Sequence, residues 1–155
     1  MASDDPRLEL TPKLVASLYT EAMVLADEAR SYFERQGRDD RDALDPLVRV
    51  AFSCESLKVT TRLMHVIAWL LTQRAVEAGE ISRLQSRTPA RRLGEAPETD
   101  DALLAKLPRE AAALVTASRD LYARVRRLDE HGGEAGGPPQ TSPARSLMSR
   151  LERSF

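Results

Sequence analysis

The sequence has very little of what most chemistry requires. There is one cysteine, Cys54, so no intrachain disulfide can form, and a reducing compartment is the natural setting. Only two histidines occur, His65 and His131. A di-iron helical site needs Glu-x-x-His pairs, but Arg62 stands three residues before His65 and Leu128 three before His131. One cysteine and two distant histidines also fall short of a zinc site. No Gly-x-Ser-x-Gly, Walker-type or Gly-x-Gly-x-x-Gly loop is present. Aromatic residues make up 5% of the chain, and the Val/Ile/Thr alternation of strands is missing. The formal net charge is −1, so no global field directs the chain to nucleic acid or an anionic membrane. The most apolar stretch, 64–71, is too short to span a bilayer and contains His65 and Trp69. The first ten residues are acidic and polar, unlike a secretory signal. These absences predict a cytoplasmic protein, not an enzyme, with no cofactor and no metal.

What remains is rich in Ala, Leu, Arg and Glu, the residues that lose least on entering a helix. The pattern predicts an all-α fold: an antiparallel three-helix bundle spanning 11–131, after a flexible N-terminus at 1–10. Thr11 can cap the first helix and Pro12 can open it. Its apolar stripe is Val15, Leu18, Ala22, Leu25, Ala29 and Phe33, with Gly37 expected to end it in the left-handed conformation. Asp45 and Pro46 open the second helix. Leu47, Val50, Cys54, Leu57, Thr61, Met64, Ala68, Leu71, Ala75 and Ala78 hold a strict three-four rhythm, and Gly79 closes it. Cys54, lying on this stripe, is expected to be a small buried residue. A second stripe runs through Phe52, Val59, Leu63, Val66 and Leu70. With Ile67, the two stripes cover roughly 200° of the helix, so it must pack on two neighbours or on a second subunit. Dimerisation is the natural way to cover the surplus. The connector 80–100 is broken by Ser, Pro and Gly. One helical turn is expected around 81–84, and a cap at Thr99 or Asp100 before a short lead-in over 102–106. The third helix is expected from Pro108, with stripe Ala111, Leu114, Ser118, Leu121, Val125 and Leu128, stopping at Gly132-Gly133. The remainder, 132–155, reads as a flexible Gly/Pro-rich tail carrying a short amphipathic segment.

Two sets of residues are candidates for partner contact. Trp69, the sole tryptophan, falls within the polar arc of the second helix beside Glu55, Lys58, Arg62, His65 and Gln73. Tryptophan and arginine are enriched in binding hot spots, so Lys58, Arg62, His65, Trp69 and Gln73 are candidates for a partner or dimer surface. The plainer alternative has the first or third helix covering Trp69, with Arg62 laid along its ring. His65 by itself reads as a surface or edge histidine. In the tail, Leu147, Met148, Leu151 and Phe155 return to helical spacing with arginines between them, as in a tethered docking peptide. A nucleic-acid-associated helical dimer acting as a regulator is the competing reading. It rests on the basic connector residues Arg83, Arg87, Arg91 and Arg92 and on Arg124, Arg126 and Arg127. Acidic residues follow both clusters closely, and no helix-turn-helix pattern is present.

Within the second helix, Thr-Thr-Arg-Leu-Met at 60–64, Trp-Leu-Leu at 69–71, Gln-Arg-Ala-Val at 73–76 and Gly-Glu at 79–80 resemble the central helix of the RcdA family. RcdA proteins are regulators of CtrA degradation in alphaproteobacteria. The run Leu-Tyr-Ala-Arg-Val-Arg-Arg-Leu at 121–128 is also similar, and the resemblance covers roughly 14–131. It implies a three-helix bundle that acts as a homodimer and carries a flexible C-terminal tail. It further implies a non-enzymatic adaptor for the ClpXP protease, working with protease primed by CpdR. Such an adaptor delivers cell-cycle regulatory proteins directly, or recruits the cyclic-di-GMP-binding adaptor PopA, which brings CtrA. A cytoplasmic protein recruited to the cell pole fits that role.

Overall fold

The computed structural model describes residues 10–136, and all of its regular structure is helical. The first helix, α1 (Pro12–Glu34), begins as the capping chemistry dictates. Thr11 Oγ1 accepts from the Leu14 N–H at 3.1 Å, and Pro12 fills the first turn, where its missing N–H is no loss.

The end of α1 departs from expectation. The chain bends at Arg35 and re-enters a short helix, α2 (Gln36–Asp42), with Gly37 inside it instead of capping α1. Gly79 is the one positive-φ residue among those described, so Gly37 is not left-handed. Its role is steric: a Cβ there would lie 2.8 Å from the Tyr32 carbonyl oxygen. Tyr32, not Phe33, completes the buried stripe of α1, and its hydroxyl donates to Asp40 Oδ2 at 2.6 Å, pinning the corner. Phe33 is half-buried and packs edge-on to Phe52, with ring centroids 5.5 Å apart.

The longest helix, α3 (Pro46–Glu77), opens with Asp45 in extended conformation and Pro46 in the first turn. It closes at Gly79, whose φ of 77° permits the left-handed turn. Gly79 N–H donates to Val76 O at 3.0 Å and Glu80 N–H to Ala75 O at 2.9 Å, a Schellman pair that satisfies the last carbonyls. The connector then holds α4 (Arg83–Ser86), opened by a reciprocal Ser82–Gln85 capping box, and a 3-10 turn at Pro89–Arg91. Asp100 caps α5 (Asp101–Leu104), its carboxylate accepting from the Ala102 N–H at 2.9 Å. The last helix, α6 (Arg109–Gly136), follows Pro108 and runs through Gly132 and Gly133, which do not stop it.

The three long helices each pack on the other two. Val15, Leu18 and Ala22 of α1 share one core with Val59, Val66 and Leu70 of α3 and Val115, Leu121 and Val125 of α6. On α3 the two apolar stripes have exchanged roles. The face carrying Phe52, Val59, Leu63, Val66 and Leu70 is inside. The stripe with the more regular rhythm faces solvent: Leu47 is 85% exposed, Leu57 67% and Met64 63%. Cys54 lies on that outer stripe and is exposed, so it is not the buried residue its apolar neighbours suggested.

Candidate functional site

The inner face of α3 explains the exchange. Glu55, Val59, Arg62, Val66, Trp69 and Gln73 alternate steps of four and three, and all six are buried. Half are polar or charged, and an unpaired charge is not tolerated in a core, so Glu55 and Arg62 must find partners there. The connector and α6 provide them. Arg62 donates to Ser118 Oγ at 3.1 Å, to the Pro97 carbonyl at 3.1 Å and to Thr99 Oγ1 at 2.6 Å. Thr99 in turn donates its hydroxyl proton to Glu55 Oε1 at 2.5 Å. Lys58 bridges Glu55 Oε2 at 2.9 Å and the Glu98 carbonyl at 2.8 Å. Residues 97–99 are thereby strapped across α3 and α6. Burial pulls the Arg62 guanidinium below its ordinary pKa, while the nearby Glu55 carboxylate opposes that pull.

One to two turns further along, a second cluster is built on Asp129 of α6. Its carboxylate accepts from Trp69 Nε1 at 2.9 Å, from Arg92 Nε at 2.9 and 3.0 Å, and from Arg87 Nη1 at 3.4 Å. The hydrogen bond to Asp129 raises the pKa of Arg92. Between the clusters, the Tyr122 hydroxyl donates to the Gly94 carbonyl at 2.5 Å. The His65 ring lies against Gly94 so closely that a Cβ there would be 2.8 Å from Nδ1. His65 Nδ1 is buried and has no hydrogen-bond partner among the described residues.

Of the two readings of the α3 polar arc, the structure has the covered one for Trp69, with the last long helix over it. Arg62, Trp69 and Gln73 are buried, and Lys58 and His65 are half-buried beneath the connector. The covering elements are α6 and residues 87–99, and Arg62 reaches the strap instead of lying along the Trp69 ring. The cation–π contact that α3 does make is Arg74 over Tyr19, 4.7 Å from the ring centre. The basic connector is likewise partly consumed internally, since Arg87 and Arg92 bind Asp129. Arg124 pairs with Glu21 and Arg126 with Glu130. The tail candidates Leu147, Met148, Leu151 and Phe155 lie outside the described residues. Among the described residues, no group of three or more His, Cys, Asp or Glu side chains could hold a metal ion. No described helix is long and apolar enough to cross a membrane.

What faces outward is apolar instead. Leu47, Val50, Leu57, Met64 and Leu71 form a row along one side of α3, with Cys54 and Ala68 within the same rhythm. A contiguous apolar row of this kind on a protein surface marks a contact site more often than isolated apolar residues do.

The family model described as "Protein of unknown function (DUF1465)" matches residues 7–155. Among solved structures, the crystal structure of RcdA from Caulobacter crescentus CB15 is similar, with 34% sequence identity and a TM-score of 0.62. That match covers 76% of this chain and 88% of that one. No curated protein matches the chain. With a family match over nearly its whole length and this degree of identity to RcdA, the chain belongs to the RcdA-type DUF1465 family.

Proposed function

We propose that the chain is a non-enzymatic adaptor that delivers cell-cycle regulatory proteins to the ClpXP protease, together with CpdR and PopA-type partners. In this reading the three long helices form an antiparallel bundle that works as a homodimer in the cytoplasm and is recruited to the cell pole. Kinship with RcdA, a regulator of CtrA degradation, supports the adaptor role. The observation that carries it is the outward apolar row of α3: Leu47, Val50, Leu57, Met64 and Leu71. The inner face of α3 carries Glu55 and Arg62 into the scaffold along with its apolar core residues, while a second apolar row is left on the surface. An apolar row left outside in addition to a filled core suits a helix that meets another protein. A rigid scaffold with a protein-binding face is what tethered delivery requires, since raising local substrate concentration needs contacts but no chemistry. A second copy is the occupant proposed for the row, and the tail segment around Leu147, Met148, Leu151 and Phe155 is proposed as a separate docking peptide.

The test is a reconstituted degradation assay with ClpXP, CpdR and candidate substrates from one organism, with and without this chain. Faster turnover that also requires CpdR is expected. Unchanged turnover across all candidates, with a folded protein, would overturn the delivery role.

A further inference from the structure

We propose that the outward row of α3 packs against the same row of a second copy in antiparallel register, with the two-fold axis crossing between Thr61 and Met64. This arrangement rests on the second copy proposed above as the occupant of the row, and adds how the two helices meet. The row steps by three and four from Leu47 to Ala78, a span of about 46 Å, so one seam can run along it. From Val50 to Ala75, large and small side chains alternate along the row. A two-fold interface sets a surface against its own inverse. A parallel pair in register would set every residue against itself. Large side chains would crowd at one layer, and Cys54, Thr61, Ala68 and Ala75 would leave gaps at the next. In the antiparallel register, Thr61 faces the partner's Met64 and Leu57 faces the partner's Ala68. Further from the axis, Cys54 faces the partner's Leu71, Val50 the partner's Ala75 and Leu47 the partner's Ala78. Every layer then holds one large and one small side chain, which fills the seam evenly.

The polar groups along the seam suit being covered. The hydroxyls of Thr60, Thr61 and Thr72 donate to the carbonyls of Ser56, Leu57 and Ala68 at 3.0–3.1 Å, all within α3. Covering them therefore leaves no unmet donor. Between Arg49 and Arg74, α3 exposes no charged residue, since Glu55 and Arg62 are buried and Lys58 is half-buried against Glu55. At the ends of the seam, Arg49 comes within one residue of the position facing the partner's Glu77, and both are exposed. Arg49 holds the Asp42 and Leu44 carbonyls through Nη2 alone, so its other nitrogens are left to reach a carboxylate. Arg74, the other cation near that end, is laid over the Tyr19 ring of α1. By symmetry the Arg49–Glu77 meeting occurs at both ends. The parallel arrangement would instead set Arg49 against Arg49 and Glu77 against Glu77, which disfavours it.

Cys54 is the only thiol, so cross-linking reads the register directly. In the antiparallel pair the two Cys54 residues lie 8.5 residues from the axis on opposite sides, about 25 Å apart along the seam, too far for a disulfide. Mild oxidation of the full-length parent should therefore give no covalent dimer. Leu71→Cys, at an exposed position, sets a thiol against the partner's Cys54 and should give one. Leu71→Cys with Cys54→Ala should not. A second measurement exchanges sizes across one layer. By sedimentation, Leu57→Ala and Ala68→Leu should each raise the dimer dissociation constant about tenfold or more, and the two together should return it most of the way to the parent's. Within one chain these residues are about 16 Å apart along α3, so such a rescue acts between copies. A covalent dimer from the parent, or from Leu71→Cys without Cys54, would mean a parallel pair and would overturn the register while keeping the second copy. A dimer that Leu71→Cys fails to cross-link, or additive losses in the size exchange, would do the same. A parent that sediments as a monomer at every concentration would overturn the second copy and the register with it.

Discussion

Trp69 of α3 donates its indole N–H to the Asp129 carboxylate of α6 at 2.9 Å, and both residues are buried. The tryptophan therefore ties two long helices together, and the same carboxylate ties both to the connector through Arg92. Asp129→Ala would leave the Trp69 N–H and two arginines without their acceptor. A loss of about 3–5 kcal/mol in unfolding free energy is expected, measured by urea denaturation. Asp129→Asn keeps one acceptor oxygen and should cost clearly less. Equal losses for the two variants would mean that the carboxylate is not the hub.

Arg62 and Glu55 form the second hub, bridged by Thr99. Arg62→Met alone leaves Glu55 buried with Lys58 as its remaining cation, and a loss of about 3–5 kcal/mol is expected. Adding Glu55→Gln should recover a large part of that loss, because the stranded charge is gone. A double-mutant cycle with a coupling of about 1 kcal/mol or more would confirm the relationship, and strict additivity would refute it.

Two glycines expected to end helices, Gly37 and Gly132, lie inside helices and make opposite predictions. A Cβ at Gly37 meets the Tyr32 carbonyl at 2.8 Å, backbone that cannot move aside, so Gly37→Ala should cost about 1–3 kcal/mol. A Cβ at Gly132 meets only the mobile end of Arg87 at 3.4 Å, within a continuing helix. Gly132→Ala should therefore stabilise by up to about 1 kcal/mol, since alanine loses less backbone entropy. Thermal unfolding of the two variants, which should shift in opposite directions, checks both.

These positions also show how far the sequence could be read. The Thr11-Pro12 and Asp45-Pro46 starts and the Gly79 stop follow from local chemistry, and the structure has them where that chemistry puts them, although the short helices α2, α4 and α5 raise the helix number above the three expected. The orientation of α3 does not follow from its pattern. Two apolar stripes compete, and the regular one lies outside because the other face brings charges whose partners, Pro97, Thr99, Ser118 and Asp129, are 35 to 60 residues away in sequence. A periodicity argument that excludes polar residues from the core cannot find them. The spacing of Glu55, Arg62 and Trp69, each seven residues from the next on one face, was the available signal.

The Asp40 carboxyl is held below its ordinary value of 3.8, first by the hydrogen bond from the Tyr32 hydroxyl and then by that from Gln36. A carboxylate with a depressed folded-state pKa stabilises the fold above its unfolded pKa, and that contribution is lost as pH falls through the folded value. The α1–α2 corner should therefore hold at neutral pH and loosen only in acid below about pH 3.8. Tyr32→Phe should return the Asp40 pKa toward 3.8 in a carboxyl NMR titration. An unchanged Asp40 titration in that variant would remove the hydroxyl as the cause.

The outward row of α3 separates a contact surface from a structural one by its response to charge. Leu57 and Met64 are more than 60% exposed, so Leu57→Asp with Met64→Asp should leave the thermal midpoint of the isolated subunit nearly unchanged. Val66, fully buried on the opposite face, should not tolerate aspartate at all. If a second copy covers the row, sedimentation will show the parent as a dimer and the Leu57/Met64 variant as a monomer. Cys54 sits in the same row and is the only thiol, which gives an independent reading. A water-soluble disulfide reagent should titrate it slowly in the concentrated parent and quickly in the monomeric variant, because the partner helix would cover it. Rapid labelling in both, with no change in mass on substitution, would mean that the row is open in solution and that its occupant is not another copy of this chain.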